Sequence, residues 1–318
     1  MIKKTLIIAA VLLAGVLGFN AEAQNATITP DGTYMFVQRD TCDLYMDVYD
    51  PAPGSQTSID GKNKPTIIFM FGGGFIGGTR DNPSYHKWFR QMTDAGYRII
   101  SIDYRLGLKG SDKVGIAQVN AIDKAIHMAV EDLFSATNFI LENAEQLGVE
   151  PDNIVISGSS AGAISAMQAE YEISNRTSWA SVLPQGFDYA GVMSFAGAIL
   201  SREGKVDFKN NPAPILMLHG TADKLVEYKQ IKVFNLGFFG GGTLVERFKK
   251  YGLNYNMYHF IDYGHEIAGA MDTTTDIQFQ FLEKNVMKKQ MRIIEAWVED
   301  AGVWKGHGPQ SRKELYGN

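Results

Sequence analysis

The chain has 318 residues, of which 45% are hydrophobic, 20% charged and 11% aromatic; this is the make-up of a globular chain with a sizeable core, and it excludes extended disorder. Thirty Lys and Arg against 35 Asp and Glu leave a net charge of −5, so no basic surplus favours nucleic acid as a partner. Cys42 is the single cysteine, which excludes an internal disulfide.

At the start of the chain, Lys3 and Lys4 precede an apolar stretch from Leu6 to Phe19, followed by Ala21-Glu22-Ala23. A basic segment, an apolar segment and a small-x-small site together read as an export leader cut after Ala23. Asn20 and Glu22 end the apolar run short of the roughly 20 residues a membrane span needs, so no stable membrane insertion is expected. The expected organisation is therefore a signal peptide at 1–23 and one domain at 24–318, periplasmic or secreted.

Two alternating segments, Tyr34 to Arg39 and Asp43 to Tyr49, read as an antiparallel pair. Cys42 lies between them in Asp40-Thr41-Cys42-Asp43, where nothing electropositive would favour a thiolate, so it reads as structural. Pro51 to Lys64 is polar and rich in turn formers, hence a loop. Beyond it, short continuous apolar runs alternate with amphipathic stretches. The runs are Thr66–Phe71, Arg98–Ile102, Asn153–Ser157, Ala190–Phe195, Pro214–Leu218 and Tyr255–Ile261. Runs of this kind fit strands buried on both faces, so a mostly parallel, eight-stranded sheet flanked by helices is expected. Helices are expected at Ser84–Ala95, Asn120–Leu147, Ser160–Ser174, Thr243–Tyr251 and Asp276–Ala301. In the second, Ala125, Met128, Ala129, Leu133, Ala136 and Ile140 recur at helical spacing and face the sheet. The segment 225–252, with its aromatic and glycine-rich first part, reads as an insertion that is either a lid or buried packing, and Gly240-Gly241-Gly242 within it as a flexible loop.

The strongest chemical signal is Gly158-Ser159-Ser160-Ala161-Gly162, after a strand and before an Ala-rich helix. A G-x-S-x-G in this context holds its serine in a strained turn, oxygen outward, at a helix N-terminus that favours negative charge. Ser160 is the candidate nucleophile. Phe71-Gly72-Gly73-Gly74-Phe75 follows the first buried run, and glycine amides there suit the developing charge on a tetrahedral oxygen. Gly73, Gly74 and Ala161 are the candidate oxyanion donors. His265 follows the last apolar run and Asp223 the one before it, at the strand ends where open parallel sheets place ligands. The order Ser, Asp, His is that of a serine triad on such a sheet. A serine hydroxyl needs an imidazole to take its proton, and a buried carboxylate to fix that imidazole.

Other histidines and carboxylates fit less well. His219 and His259 lie within strands and read as structural; His86, His127 and His307 belong to helices or the tail. Asp188 precedes its strand, Asp262 is too near His265 in sequence, and Asp207 is the remaining alternative acid. Glu131 and Asp132 read as capping or solvent contacts on the long helix, and Asp103 and Arg105 as structural. No His, Asp or Glu cluster has metal-ligand spacing, so no metal is expected. The aromatics Phe75, Tyr85, Phe238 and Phe239 are candidate substrate-binding residues.

Phe71–Phe75, Asp103-Tyr104-Arg105-Leu106, Gly158–Gly162, Gly220–Asp223 and Gly264-His265 together resemble the secreted bacterial α/β-hydrolase carboxylesterases related to the hormone-sensitive-lipase and type-B esterase groups. Phe71 stands where those families usually carry histidine. The resemblance implies an α/β-hydrolase fold, the triad Ser160, Asp223 and His265, an oxyanion hole at Gly73, Gly74 and Ala161, and no cofactor. The expected substrate is a small-molecule or carbohydrate-linked carboxylic ester. An exported serine peptidase and a non-catalytic binding protein on the same fold are the alternative readings.

Overall fold

The computed structural model describes residues 27–110, 119–306, 308–310 and 314–315. The leader read at 1–23 and His307 lie outside the described residues. The antiparallel pair forms as β1 (Gly32–Gln38) and β2 (Asp43–Tyr49), with Cys42 exposed at the turn between them. A small hairpin, β3 (Ser58–Ile59) and β4 (Lys62–Asn63), breaks the loop that follows. The chain then runs β5 (Thr66–Met70), α1 (His86–Asp94), β6 (Arg98–Ile102), α2 (Val119–Glu142), α3 (Ala144–Leu147), β7 (Ile154–Ser159) and α4 (Ala161–Ser174). It continues through β8 (Gly191–Phe195), β9 (Ala198–Ser201), β10 (Ile215–Gly220), β11 (Gln230–Val233), β12 (Leu236–Gly240), α5 (Gly241–Tyr251) and β13 (Tyr255–Phe260), and closes with α6 (Thr275–Phe281) and β14 (Ile293–Val298).

The central sheet has nine strands in the order β1-β2-β6-β5-β7-β8-β10-β13-β14. Only β1 with β2 and β2 with β6 pair antiparallel; every later neighbour is parallel. Ile67, Ile68, Phe69 and Met70 are all fully buried, as a strand covered on both faces requires. The stripe on α2 is buried at Ala125, Ala129, Leu133, Ala136 and Ile140. Ala163, Ala166 and Ala169 let α4 lie close against the sheet beneath α2, because a methyl side chain keeps two backbones near each other.

The ninth strand replaces part of the helix expected at Asp276–Ala301. That helix runs only through α6 and one wider turn, Leu282–Met287. Lys289 then takes φ 50°, and Ile293–Val298 pairs parallel with β13. The sequence Ile293-Ile294-Glu295-Ala296-Trp297-Val298 alternates between more and less exposed positions, and its β-branched and aromatic residues favour a strand over a helix.

Two further expectations are corrected. Gly240-Gly241-Gly242 is not a loose loop: Gly240 ends β12 and Gly241 begins α5, and a Cβ on Gly240 would collide with the Glu227 carbonyl. The insertion to which it belongs pairs through β12 with β9, forming a second, three-stranded sheet, and its helix buries Leu244, Val245 and Phe248. Asp132 is neither a cap nor a solvent contact. It is fully buried, and it accepts from the Arg105 backbone N–H at 2.8 Å and from the guanidinium groups of Arg105 and Arg39. Among the described residues no helix is long and apolar enough to cross a membrane.

Candidate active site

The order of the sheet fixes where chemistry can occur. From β5 the chain passes to β6 on one side, and β7 lies on the other, so the strand order reverses at β5 and β7. The loops leaving the carboxyl ends of these two strands therefore diverge and open a crevice. Phe71–Phe75 leaves one and Ser160 leaves the other.

Ser160 sits between β7 and α4 at φ 52° and ψ −115°, a positive-φ conformation that a serine adopts only where its surroundings impose it. Its N–H donates to the Phe195 carbonyl at 2.9 Å, and its own carbonyl accepts from Ile164 N–H at 2.9 Å. The flanking glycines leave room for this turn: a Cβ on Gly158 would strike the Gly162 backbone, and one on Gly162 the Met70 carbonyl.

His265 opens a short 3₁₀ helix, His265–Gly269, after β13. Asp223 follows β10 in the turn Gly220–Asp223. The two loops lie back to back, since Ala222 N–H donates to the Tyr263 carbonyl at 2.9 Å, and a Cβ on Gly220 would collide with the carbonyls of Tyr263 and Gly264. This contact brings together residues separated by 42 positions in sequence: His265 Nδ1 is 2.8 Å from Asp223 Oδ2. On its other side His265 Nε2 is 2.7 Å from Ser160 Oγ. Ser160 and His265 each keep 8% exposure, whereas Asp223 has only 2%.

The carboxylate sets the direction of the chain of bonds. Asp223 Oδ1 accepts from the backbone N–H groups of Leu225 and Val226 at 2.9 and 3.0 Å, and His219 Nε2 lies 3.4 Å from Oδ2. Burial works against the charge, but the hydrogen bonds from His219 and His265 outweigh it and hold the Asp223 carboxyl well below the usual carboxylate range. An ionised carboxylate only accepts, so His265 Nδ1 carries the proton, and Nε2 accepts from the Ser160 hydroxyl.

The glycine turn lies against this group. An ideal Cβ on Gly72 would stand 3.3 Å from Ser160 Cβ. Gly73 and Gly74 take φ 133° and 63°, values that L side chains rarely adopt, and a Cβ on Gly73 would overlap the Gly77 carbonyl. The Gly73 carbonyl points back into the loop and accepts from Ile76 and Gly77 N–H. Ala161, as the first residue of α4, has an amide without a partner inside the helix. Phe71 stacks on Tyr104 at 4.4 Å, and the Tyr104 hydroxyl donates to the Phe71 carbonyl at 2.8 Å.

Of the four aromatics singled out for substrate, the structure sets Phe75 and Tyr85 at the glycine turn. Phe75 is buried edge-on to Tyr104, and the Tyr85 hydroxyl accepts from Gly72 N–H at 2.9 Å while its ring packs on Phe69 and Phe89. Phe238 and Phe239 are successive residues of β12, so one is half-buried and the other buried in the core. His219 and His259 are buried, as strand histidines should be, but His219 also faces the acid. His259 Nδ1 is paired with the Tyr228 hydroxyl at 2.6 Å. Asp188 and Asp207 pair with Arg176 and Arg247 respectively. Two supporting residues carried no sequence signal: Ser159, whose Oγ donates to the Ala268 carbonyl, and Gln310, whose Oε1 accepts from His265 N–H.

A nine-stranded, mostly parallel sheet with helices on its faces and a strained serine between strand and helix defines the α/β-hydrolase fold. Comparisons with known proteins agree. The family described as BD-FAE matches residues 46–177. The chain is similar to the bile salt-activated lipase of Mus musculus, with 28% identity over 152 residues, which are 46% of this chain and 23% of the lipase. It is also similar to esterase LipI of Mycobacterium tuberculosis, with 28% identity over 191 residues and 54% of each chain. Among solved structures, esterase 2 of Thermogutta terrifontis with propionate bound superposes with a TM-score of 0.57 at 22% identity, covering 80% of this chain and 93% of that one. The chain thus spans less than a quarter of the length of the mouse lipase and about half that of LipI.

Proposed function

We propose that this protein is an exported serine hydrolase that cleaves carboxylic esters through Ser160, His265 and Asp223. The observation that carries this reading is the continuous chain from Ser160 Oγ to His265 at 2.7 Å and from His265 to Asp223 at 2.8 Å, set beside the glycine turn. Similarity to proteins named as esterases and lipases supports ester hydrolysis over peptide cleavage or binding without turnover.

In this mechanism Ser160 Oγ attacks the ester carbonyl carbon while its proton passes to His265 Nε2. The carbonyl oxygen becomes an anion, received by the backbone amides of Gly73, Gly74 and Ala161. The C–O bond to the alcohol breaks as His265 returns the proton to the departing oxygen. Water then attacks the acyl-serine, gives a proton to His265, and the acid leaves as Ser160 recovers its hydrogen. Asp223 stays ionised throughout and stabilises the imidazolium. The substrate in this reading is a small-molecule or carbohydrate-linked ester met outside the cytoplasm, which the leader pattern Lys3 to Ala23 supports.

A fluorophosphonate probe should attach to Ser160, and Ser160→Ala should lose both the adduct and hydrolysis of nitrophenyl esters. A folded Ser160→Ala protein that still turns over esters sinks the reading. Nitrophenyl esters of increasing chain length, beside methyl ferulate and acetylated xylan, resolve the acyl and alcohol preference.

A further inference from the structure

After β14 the chain turns back toward the site. Ala301 N–H donates to the Tyr263 hydroxyl at 3.1 Å, the Lys305 ammonium lies over the Tyr263 ring at 4.7 Å, and Val303 packs on the core. Tyr263 is two residues before His265, so this segment lies along the loop that carries the base. Its far end reaches the base itself: Gln310 Oε1 accepts from the backbone N–H of His265 at 3.1 Å. Gln310 is held in turn, its N–H donating to Glu314 Oε2 at 2.8 Å and its Nε2 to the Gly308 carbonyl at 3.2 Å.

Gly264 gives an independent sign of this contact. Its backbone takes φ −92° and ψ −139°, outside the regions open to L side chains, so conformation as well as space favours glycine there. A Cβ on Gly264 would overlap Gln310 Oε1 and stand 3.0 Å from Glu266 Oε2. Glycine before the base therefore opens the place that the Gln310 carbonyl fills.

We propose that Gln310 is a positioning residue for His265, and that the described stretches 301–306 and 308–310 act as a strap completing the active-site framework. The inference rests on the hydrolase reading above. His265 is the first residue of its 3₁₀ turn, so its N–H has no partner within that turn and needs an acceptor from elsewhere. Ser159 holds the same turn from the elbow side at Ala268, and Gln310 holds it at His265. With one end released, the imidazole can drift from Ser160 Oγ, and a displacement of even a fraction of an ångström slows proton transfer without altering how the ester binds.

The test uses the full chain with Gln310→Ala and Gln310→Met. Gln310→Met keeps the length of the side chain and removes the acceptor, so it serves if the alanine variant folds poorly. Each variant should lower kcat and the rate of fluorophosphonate labelling together by about three- to tenfold, with KM and melting temperature unchanged. Wild-type kcat in a folded Gln310→Met protein overturns the proposal. Ser160→Ala, measured alongside, separates the two levels: if it is inactive while the Gln310 variants are normal, the strap role alone fails, and if it is active, the hydrolase reading fails.

Discussion

Ser159 Oγ donates to the Ala268 carbonyl at 2.8 Å, so the residue before the candidate nucleophile is bonded to the short helix that begins with His265. Ser159 is buried, and its bond joins the end of β7 to the far end of that helix. Ser159→Ala leaves a buried carbonyl without its donor, which should destabilise the protein by about 1–3 kcal/mol. Since the released helix carries the base, kcat should fall while KM holds. Denaturant unfolding and steady-state kinetics on the same preparation measure both effects, and an unchanged kcat would show that His265 is positioned without this bond.

The Tyr85 hydroxyl accepts the N–H of Gly72, the first glycine of the turn beside Ser160. Tyr85→Phe keeps the ring against Phe69 and Phe89 but leaves that N–H unpaired. If the turn supplies oxyanion donors, kcat should fall by about tenfold, less than the hundredfold or more that follows outright loss of a donor. Preference among acyl chain lengths should stay as in the wild type. A change in chain-length preference with normal kcat would instead return Tyr85 to the role of a substrate contact.

What the sequence revealed of this molecule followed from local constraint. The buried strands are short apolar runs, and the elbow is a fixed pattern of small residues between a strand and a helix, so Thr66–Met70, Ile154–Ser159 and Ser160 could be read directly. Ile293–Val298 was harder. It follows a true helix without a proline or glycine break, and the turn at Lys289 uses a positive φ that lysine does not advertise. Asp132 was misread because its partners, Arg39 and Arg105, come from other elements. The same holds for Gln310 and Ser159: each acts on a backbone atom of a distant loop, and no spacing in the chain records such a contact.

Asp223 is the best-supported carboxylate of the site, with two backbone N–H groups on Oδ1 and His265 on Oδ2. Behind it, His219 Nδ1 accepts from Gly241 N–H at 3.3 Å, so Nε2 carries the proton; it donates to the Val226 carbonyl at 2.9 Å and faces the carboxylate. Asp223→Asn presents an amide N–H to His265 and favours the tautomer whose Nε2 is already protonated, which cannot take the Ser160 proton. On the proposed mechanism kcat should fall on the order of ten-thousandfold with the fold intact. Circular dichroism and burst kinetics check this; a loss below about tenfold would mean that another carboxylate orients the base.

Glu170, ten residues beyond Ser160 on α4, leads to a prediction about stability rather than rate. It is fully enclosed, with Oε1 accepting from Ala213 N–H at 2.8 Å and Ser174 Oγ at 2.9 Å, while Oε2 is buried with no hydrogen-bond partner among the described residues. Burial pushes its carboxyl up to about 7, against the opposing effect of those two hydrogen bonds. The unfolded chain titrates this group near 4.3, so between about pH 4.3 and 7 the folded state holds the proton that the unfolded state has released. Its contribution is therefore fully present below the unfolded pKa and is lost as pH rises through the folded one. Glu170→Gln cannot ionise and should remove this dependence. Relative to the wild type, the variant should gain roughly 2–3 kcal/mol between about pH 5 and pH 8. Denaturant unfolding of both proteins across that range provides the measurement, and parallel stability curves would show that Glu170 is ionised in the folded protein throughout, with a partner for Oε2 that keeps it so.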